Sequence, residues 1–338
     1  MILKSRPAFV LLLFVILYAC CNHVSFAVET NDGSIIERKA YSFPTYEQAV
    51  KDTDVEDYAP KEAYQRAVND SGFEFQKLKY VSEGLKVIAY LYKPVRVEGR
   101  ILPAIIFNRG STVRGDIAPE LVVFFHRLAS EGFIIIAPMY RQSDGGDGRD
   151  EVGGADVNDL MNVAPLAKSL GFIDMNNLFM YGESRGGMMT YQAIKRRFPV
   201  NAAAVFGAFT DMEALIKYRP QIYQPKTLKQ IWPDFDIRKD EIIKSRSALY
   251  WPEMLDAPLL IMHGGADWSV NPSQSLTIAQ KLQDLGKTYE LIIYAEDGHI
   301  LSRNQEDRDR RAIAWFKKHM KPKSSTIGFK YSPRQTTL

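Results

Sequence analysis

The apolar run Leu178-Phe179-Met180-Tyr181 leads straight into Gly182-Glu183-Ser184-Arg185-Gly186, and an amphipathic stretch follows from Met188 to Phe198. A strand that turns abruptly into a helix through Gly-x-Ser-x-Gly constrains the fold more than any other feature here. The turn lifts one serine hydroxyl above the edge of a sheet. Gly182 and Gly186 suit it, because neighbouring backbones come too close there for a Cβ. The bare motif is common by chance, and a serine that merely caps a helix would look the same. The residues downstream decide between these readings.

A serine hydroxyl is a poor nucleophile at neutral pH. It needs a base to take its proton and a carboxylate to hold that base's tautomer. Behind an elbow of this kind the chain order is Ser, then Asp or Glu, then His. Of five histidines, His23 lies beside the N-terminal apolar run, His126 in a predicted helix, His263 at a strand end before the acid, and His319 in the terminal helix. His299 alone follows the last predicted strand, in the loop Asp297-Gly298-His299. Asp267 comes after a predicted strand through Gly264-Gly265-Ala266, at the carboxyl edge where open α/β sheets build their sites. It stands 83 residues after Ser184 and 32 before His299. Asp297 is the rival acid, but so close to His299 it is better placed to shape the turn. Asp256 precedes the strand and Asp284 falls inside a helix. Ser184 is therefore the expected nucleophile, His299 the general base and Asp267 the acid that orients it. The expected oxyanion donors are the backbone N–H groups of Arg185 and of Arg109, the latter from the segment Asn108-Arg109-Gly110.

Around the elbow, short β-branched or aromatic runs alternate with longer amphipathic stretches. This is the pattern of a mostly parallel sheet covered by helices on both faces. Strands are predicted at 75–81, 85–92, 104–107, 133–138, 178–181, 203–206, 259–263 and 290–294, the first two as an antiparallel hairpin turning at Ser82-Glu83-Gly84. Helices are predicted at 119–131, 155–169, 185–198, 272–285 and 306–319. The fold class is α/β: an α/β-hydrolase fold with an eight-stranded sheet and an inserted lid. Its catalytic domain spans 73–320, after an N-terminal arm at 28–72 and before a tail at 321–338. The lid is the segment 211–254, far longer than an ordinary connection. Its aromatics, Tyr218, Tyr223, Trp232, Phe235, Tyr250 and Trp251, are expected mainly to fill the lid's own small core, with pocket lining the lesser use.

Lys4 and Arg6 followed by an unbroken apolar run of 12 residues, Ala8 to Ala19, form an export signal too short to span a membrane. Two cleavages fit. Leu17-Tyr18-Ala19-Cys20 resembles a lipobox, leaving a lipid anchor at Cys20, whereas Ser25-Phe26-Ala27 suits ordinary signal peptidase and removes both cysteines, Cys20 and Cys21. Either way the mature protein is extracytoplasmic and free of structural disulfides. Losing Lys4 and Arg6 takes the formal charge from +3 to +1, which leaves no basic field for nucleic acid. Scattered histidines and the absence of His-Glu-x-x-His imply no metal, and no cofactor is expected.

Gly182-Glu183-Ser184-Arg185-Gly186-Gly187, with its doubled glycine, together with His263-Gly264-Gly265-Ala266-Asp267-Trp268-Ser269-Val270-Asn271-Pro272, resembles the catalytic domain of the prolyl oligopeptidase family. Tyr140-Arg141, a glycine-rich stretch and then Asp156 to Asp159 resemble the same family's pattern upstream of the nucleophile. The resemblance covers roughly residues 75–320. It implies a serine peptidase of short peptides, with Ser184, Asp267 and His299 in the roles given above. Where that family has His-Gly-Gly-Pro, this chain reads Asn108-Arg109-Gly110-Ser111, and the residues before 75 are too few for the family's β-propeller. No paired glutamates suited to gripping a peptide amino terminus stand out. A carboxylesterase of small acyl esters is the alternative, and a binding protein that kept the fold is a third reading.

Overall fold

The computed structural model describes residues 31–322 apart from 53–54, 56–58 and 112–114. The segment read as an export signal, Cys20 and the tail from 323 onward lie outside the described residues.

Nine strands form one sheet: β1 (Ile35–Ala40), β2 (Phe73–Ser82), β3 (Leu85–Pro94), β4 (Leu102–Asn108), β5 (Ile134–Pro138), β6 (Ile173–Glu183), β7 (Ala202–Phe206), β8 (Leu259–Gly264) and β9 (Tyr289–Tyr294). They lie in the order β1-β2-β3-β5-β4-β6-β7-β8-β9. The run from β5 to β9 is parallel, and β1, β2 and β3 add an antiparallel flank. The chain leaves β4 first for β5 on one side and then for β6 on the other. This reversal opens a crevice at the carboxyl ends of β4 and β6, where α/β sheets take their ligands.

Among the described residues the sheet thus has nine strands rather than the eight expected. The extra one, β1, lies in the N-terminal arm and pairs antiparallel with β2. It is an edge strand that reads Ile-Ile-Glu-Arg-Lys-Ala and buries almost nothing, so its sequence has no inward apolar alternation to betray it. The same arm carries α1 (Tyr46–Asp52) and α2 (Lys61–Asn69).

Interior strands alternate their side chains between two cores, as a period of two requires. On one face Ile105 and Phe107 of β4 pack with Phe125 and Leu128 of α3 (Leu121–Ser130) and with Trp315 and Phe316 of the last helix. On the other, Ala104 and Ile106 pack with α4 (Asp156–Met161), α5 (Val163–Ser169) and α6 (Arg185–Lys195). The single helix expected over 155–169 is two helices meeting at Asn162. Pro165 has no N–H to donate back to Met161, so it fits only in the first turn of a fresh helix.

The insertion between β7 and β8 holds α7 (Met212–Tyr218), α8 (Pro225–Ile231) and α9 (Phe235–Ser245); α10 (Ser273–Asp284) and α11 (Gln305–Lys318) complete the helices used below. Its aromatics divide. Trp232, Phe235 and Trp251 are buried, the first two stacked at 5.8 Å, while Tyr218 and Tyr250 are exposed. The Trp232 Nε1–H donates to the Glu151 carbonyl at 2.7 Å, and the Tyr218 hydroxyl donates to the Asp267 carbonyl at 3.1 Å. These bonds tie the insertion to the rim of the crevice.

Candidate active site

Ser184 stands between β6 and α6 at φ +52°, ψ −117°, a conformation that L-residues avoid and that aims its side chain off the sheet edge. The turn is tight enough that a Cβ on Gly186 would lie 1.8 Å from the Asn108 carbonyl oxygen. The close approach anticipated in the sequence is therefore a physical requirement here. It brings the end of β4 directly against the elbow.

The structure brings Ser184, His299 and Asp267 together. His299 Nε2 is 2.9 Å from Ser184 Oγ and His299 Nδ1 is 2.8 Å from Asp267 Oδ2. A carboxylate against Nδ1 fixes the proton there, so Nε2 faces the hydroxyl as an acceptor. Space for the imidazole comes from Gly207 at the end of β7. Its φ is +55°, and a Cβ there would meet His299 O at 2.8 Å and Nδ1 at 3.0 Å. Asp297 shapes the turn, as expected: its Oδ1 accepts from Gly298 N–H at 3.0 Å and its Oδ2 from the Asn304 side chain at 2.9 Å.

Asp267 has more donors than the sequence reveals. Oδ1 accepts from the N–H groups of Ser269 and Val270, at 2.7 and 2.8 Å. Oδ2 accepts from His299 and also lies 3.0 Å from Nε2 of His263, which is wholly buried. His263 Nε2 faces two oxygens, the second being the Val270 carbonyl at 3.0 Å, so it carries the proton; Nδ1 takes a hydrogen bond with Ser275 Oγ at 2.6 Å. Burial pushes the Asp267 carboxyl up, but hydrogen bonds from both histidines and from Val270 outweigh it and hold the group well below the usual carboxylate range. Set aside as a base because it precedes the acid, His263 is thus the acid's second partner. The spacing i, i+4 from His263 to Asp267 was the available signal.

The Arg185 backbone N–H belongs to the first turn of α6, where helix geometry gives it no intrahelical acceptor. The loop after β4 also reaches the nucleophile, since a Cβ on Gly110 would lie 3.3 Å from Ser184 Cβ. The Arg109 side chain turns inward to the Met139 carbonyl at 2.6 Å and Ser143 Oγ at 2.7 Å, which anchors this loop. Beneath the elbow the Arg185 guanidinium grips Asp150 with both Nη atoms, at 2.7 and 2.6 Å, and Asp156 at 2.7 Å, all three residues being buried. Tyr140 lies between two cations, its ring centroid 5.1 Å from the Arg109 guanidinium and 5.2 Å from that of Arg185. Of the upstream residues noted for their resemblance, Tyr140 and Asp156 thus meet at Arg185, next to Ser184, whereas Arg141 and Asp159 pair with each other.

Residues 123–323 match the model of the Prolyl oligopeptidase family. A Bacillus subtilis (strain 168) relative described as "Uncharacterized peptidase YtmA" is 25% identical over 240 residues, which make up 70% of this chain and 91% of the relative. Among solved structures, Pyrococcus horikoshii acylaminoacyl peptidase superposes with a TM-score of 0.59 at 22% identity, covering 75% of this chain and 42% of that one. Acetyl Xylan Esterase 1 from Thermoanaerobacterium superposes with a TM-score of 0.55 at 15% identity, covering 82% of this chain and 99% of the esterase. At these identities the two structures speak for the fold alone. The chain spans less than half of the acylaminoacyl peptidase. With its elbow, its sheet and more than half its length matching the family, this chain belongs to the prolyl oligopeptidase family and is a serine hydrolase of the α/β-hydrolase fold.

Proposed function

We propose that the protein is a serine peptidase of short peptides that works through an acyl-enzyme on Ser184. One observation carries the acyl-enzyme chemistry, the continuous hydrogen-bonded line from Ser184 Oγ through His299 to Asp267, and the match to the peptidase family supports peptides as substrates. His299 Nε2 takes the hydroxyl proton as Oγ adds to the substrate carbonyl. The oxyanion is met by the N–H of Arg185 and by one from the loop after β4, assigned to Arg109. His299 then passes the proton to the leaving amine as the acyl bond breaks. A water molecule, deprotonated by the same nitrogen, attacks the ester, and the acid leaves as Ser184 recovers its proton. Asp267 keeps Nδ1–H in place and stabilises the imidazolium.

A carboxylesterase is the second reading, favoured by the near-complete coverage of the esterase. Matched aminoacyl anilides and esters separate the two. Cleavage of anilides and of dipeptides supports the peptidase; fast ester hydrolysis with every amide inert overturns it. Specificity is assigned to the insertion carrying α7 to α9, so exchanging it should change the preferred acyl group. We also propose export, supported by the apolar run of residues 8–19, with lipid attachment at Cys20 as one form. Recovery of the protein from the cytoplasm of its own cells would contradict export.

His263 acts on this chemistry through Asp267, as a positioning residue. His263→Ala is expected to lower kcat by about tenfold to a hundredfold, since small misplacements of a reacting group cost that much, and to displace the acid limb of the pH–rate profile. His263→Gln, which can still offer an N–H, should recover part of the loss. A profile unchanged in His263→Ala would contradict the role.

A further inference from the structure

Glu183 immediately precedes the nucleophile, and no step above uses it. Its carboxylate is half-buried and has no hydrogen-bond or ion-pair partner among the described residues. A Cβ on Gly110 would lie 3.3 Å from both Glu183 Oε1 and Ser184 Cβ. The carboxylate oxygen is therefore no more than twice that distance, 6.6 Å, from the Cβ of the reacting residue.

Glu183 also lines two adjoining small clefts that share Phe107 and Leu121 as apolar wall. One reaches Ile300, the neighbour of His299; the other reaches Gly110, beside Ser184. The larger cleft contains two arginines, Arg127 and Arg308. Both are paired with Asp309, at 2.8 Å each, and Arg308 spends a further N–H on the Ile300 carbonyl. Arg308 lies within electrostatic reach of Glu183 without bonding to it. Counting Glu120 and Glu183 with Asp309 against the two arginines, the walls carry a formal charge of −1.

A carboxylate this close to the carbonyl under attack is a liability for a neutral substrate, because it repels the oxyanion as that charge forms. The same carboxylate becomes an asset when the substrate brings a positive charge of its own. Partly desolvated against an apolar wall, it then gains an ion-pair partner of opposite charge.

We propose that Glu183 is a specificity-determining residue that anchors a cationic group of the substrate, an ammonium or guanidinium, in the cleft beside Ser184. The proposal rests on the reading of Ser184 as nucleophile, and one of its tests does not need turnover.

Two substrate pairs differ only in one positive charge: leucyl nitrophenyl ester against its desamino isocaproyl counterpart, and acetylcholine against its uncharged isostere dimethylbutyl acetate. The first carries the charge on the acyl side and the second on the alcohol. Wild-type kcat/KM is expected to favour the charged member of at least one pair by about tenfold, the scale of a partly buried charge pair. In Glu183→Gln that preference should vanish, with the uncharged member turned over faster than by wild type. No charge preference in either pair, or a preference that survives in Glu183→Gln, overturns the proposal. Calorimetry with choline on Ser184→Ala protein supplies the test without chemistry. Binding that disappears when Glu183→Gln is added supports the anchor, and equal behaviour of the single and double variants overturns it. Loss of all hydrolysis by wild type would instead sink the hydrolase reading and leave the calorimetric result standing on its own.

Discussion

Asp267→Asn is expected to cost about 10⁴-fold in kcat while the protein stays folded. Four donors converge on this carboxylate: the N–H groups of Ser269 and Val270 on Oδ1, and the rings of His299 and His263 on Oδ2. An amide has one oxygen to offer. If it keeps the two backbone donors, its NH2 faces the histidines, and His299 must present an unprotonated Nδ1. The proton then sits on Nε2, and the nitrogen that should accept from Ser184 becomes a donor. If the amide turns the other way, its NH2 confronts two backbone N–H groups and the loop shifts. Circular dichroism and thermal melting should report a folded protein, and steady-state kinetics the loss. A variant within tenfold of wild type would contradict the role. The folded carboxyl titrates below its unfolded value, so its share of stability is fully present above the ordinary carboxylate range and is lost as pH falls through the lower, folded value.

The second large effect is on stability. Arg185→Met leaves two buried carboxylates, Asp150 and Asp156, without their cation, and breaking a buried pair from one side costs about 3–5 kcal/mol. Burial alone raises the Asp156 carboxyl; Arg185 and the N–H groups of Gly153 and Gly154 are what hold it below its usual range. The melting temperature should fall by roughly 10 °C. Labelling of Ser184 should also weaken, because the same guanidinium bonds the Ser111 carbonyl at 3.1 Å and so fixes the loop facing the nucleophile. Arg185→Lys should restore little, since a point charge cannot bridge two carboxylates as a planar fork does. A melting temperature within 2 °C of wild type, well inside the roughly 10 °C expected, would refute this account of the cluster.

Strands β2 to β9 and the three residues of the hydrogen-bonded line were legible in the sequence. Strands β3 to β8, largely buried on both faces, read as continuous β-branched or aromatic runs, the half-exposed β2 and β9 as short β-branched or aromatic runs set off by turns, and the loops at the carboxyl ends can be ordered along the chain. β1 escaped because an edge strand with charges on both faces leaves no periodic signal. Asn162 split a helix that looked continuous because one proline outweighs an amphipathic pattern. The pairing of Arg185 with Asp150 and Asp156 was beyond reach, since it joins residues 35 and 29 positions apart whose charges look like ordinary surface charge. Glu183 was read only as the variable position of the elbow. Its importance depends on Gly110 and Phe107, which the fold alone brings beside it.

The central claim is that Ser184 is an activated nucleophile served by His299. Labelling of the purified protein by a fluorophosphonate, beside Ser184→Ala and His299→Ala, tests it most directly. Stoichiometric labelling of wild type, none of Ser184→Ala and greatly slowed labelling of His299→Ala is the predicted result. Folded wild type that fails to label, or Ser184→Ala that labels as well as wild type, would contradict it.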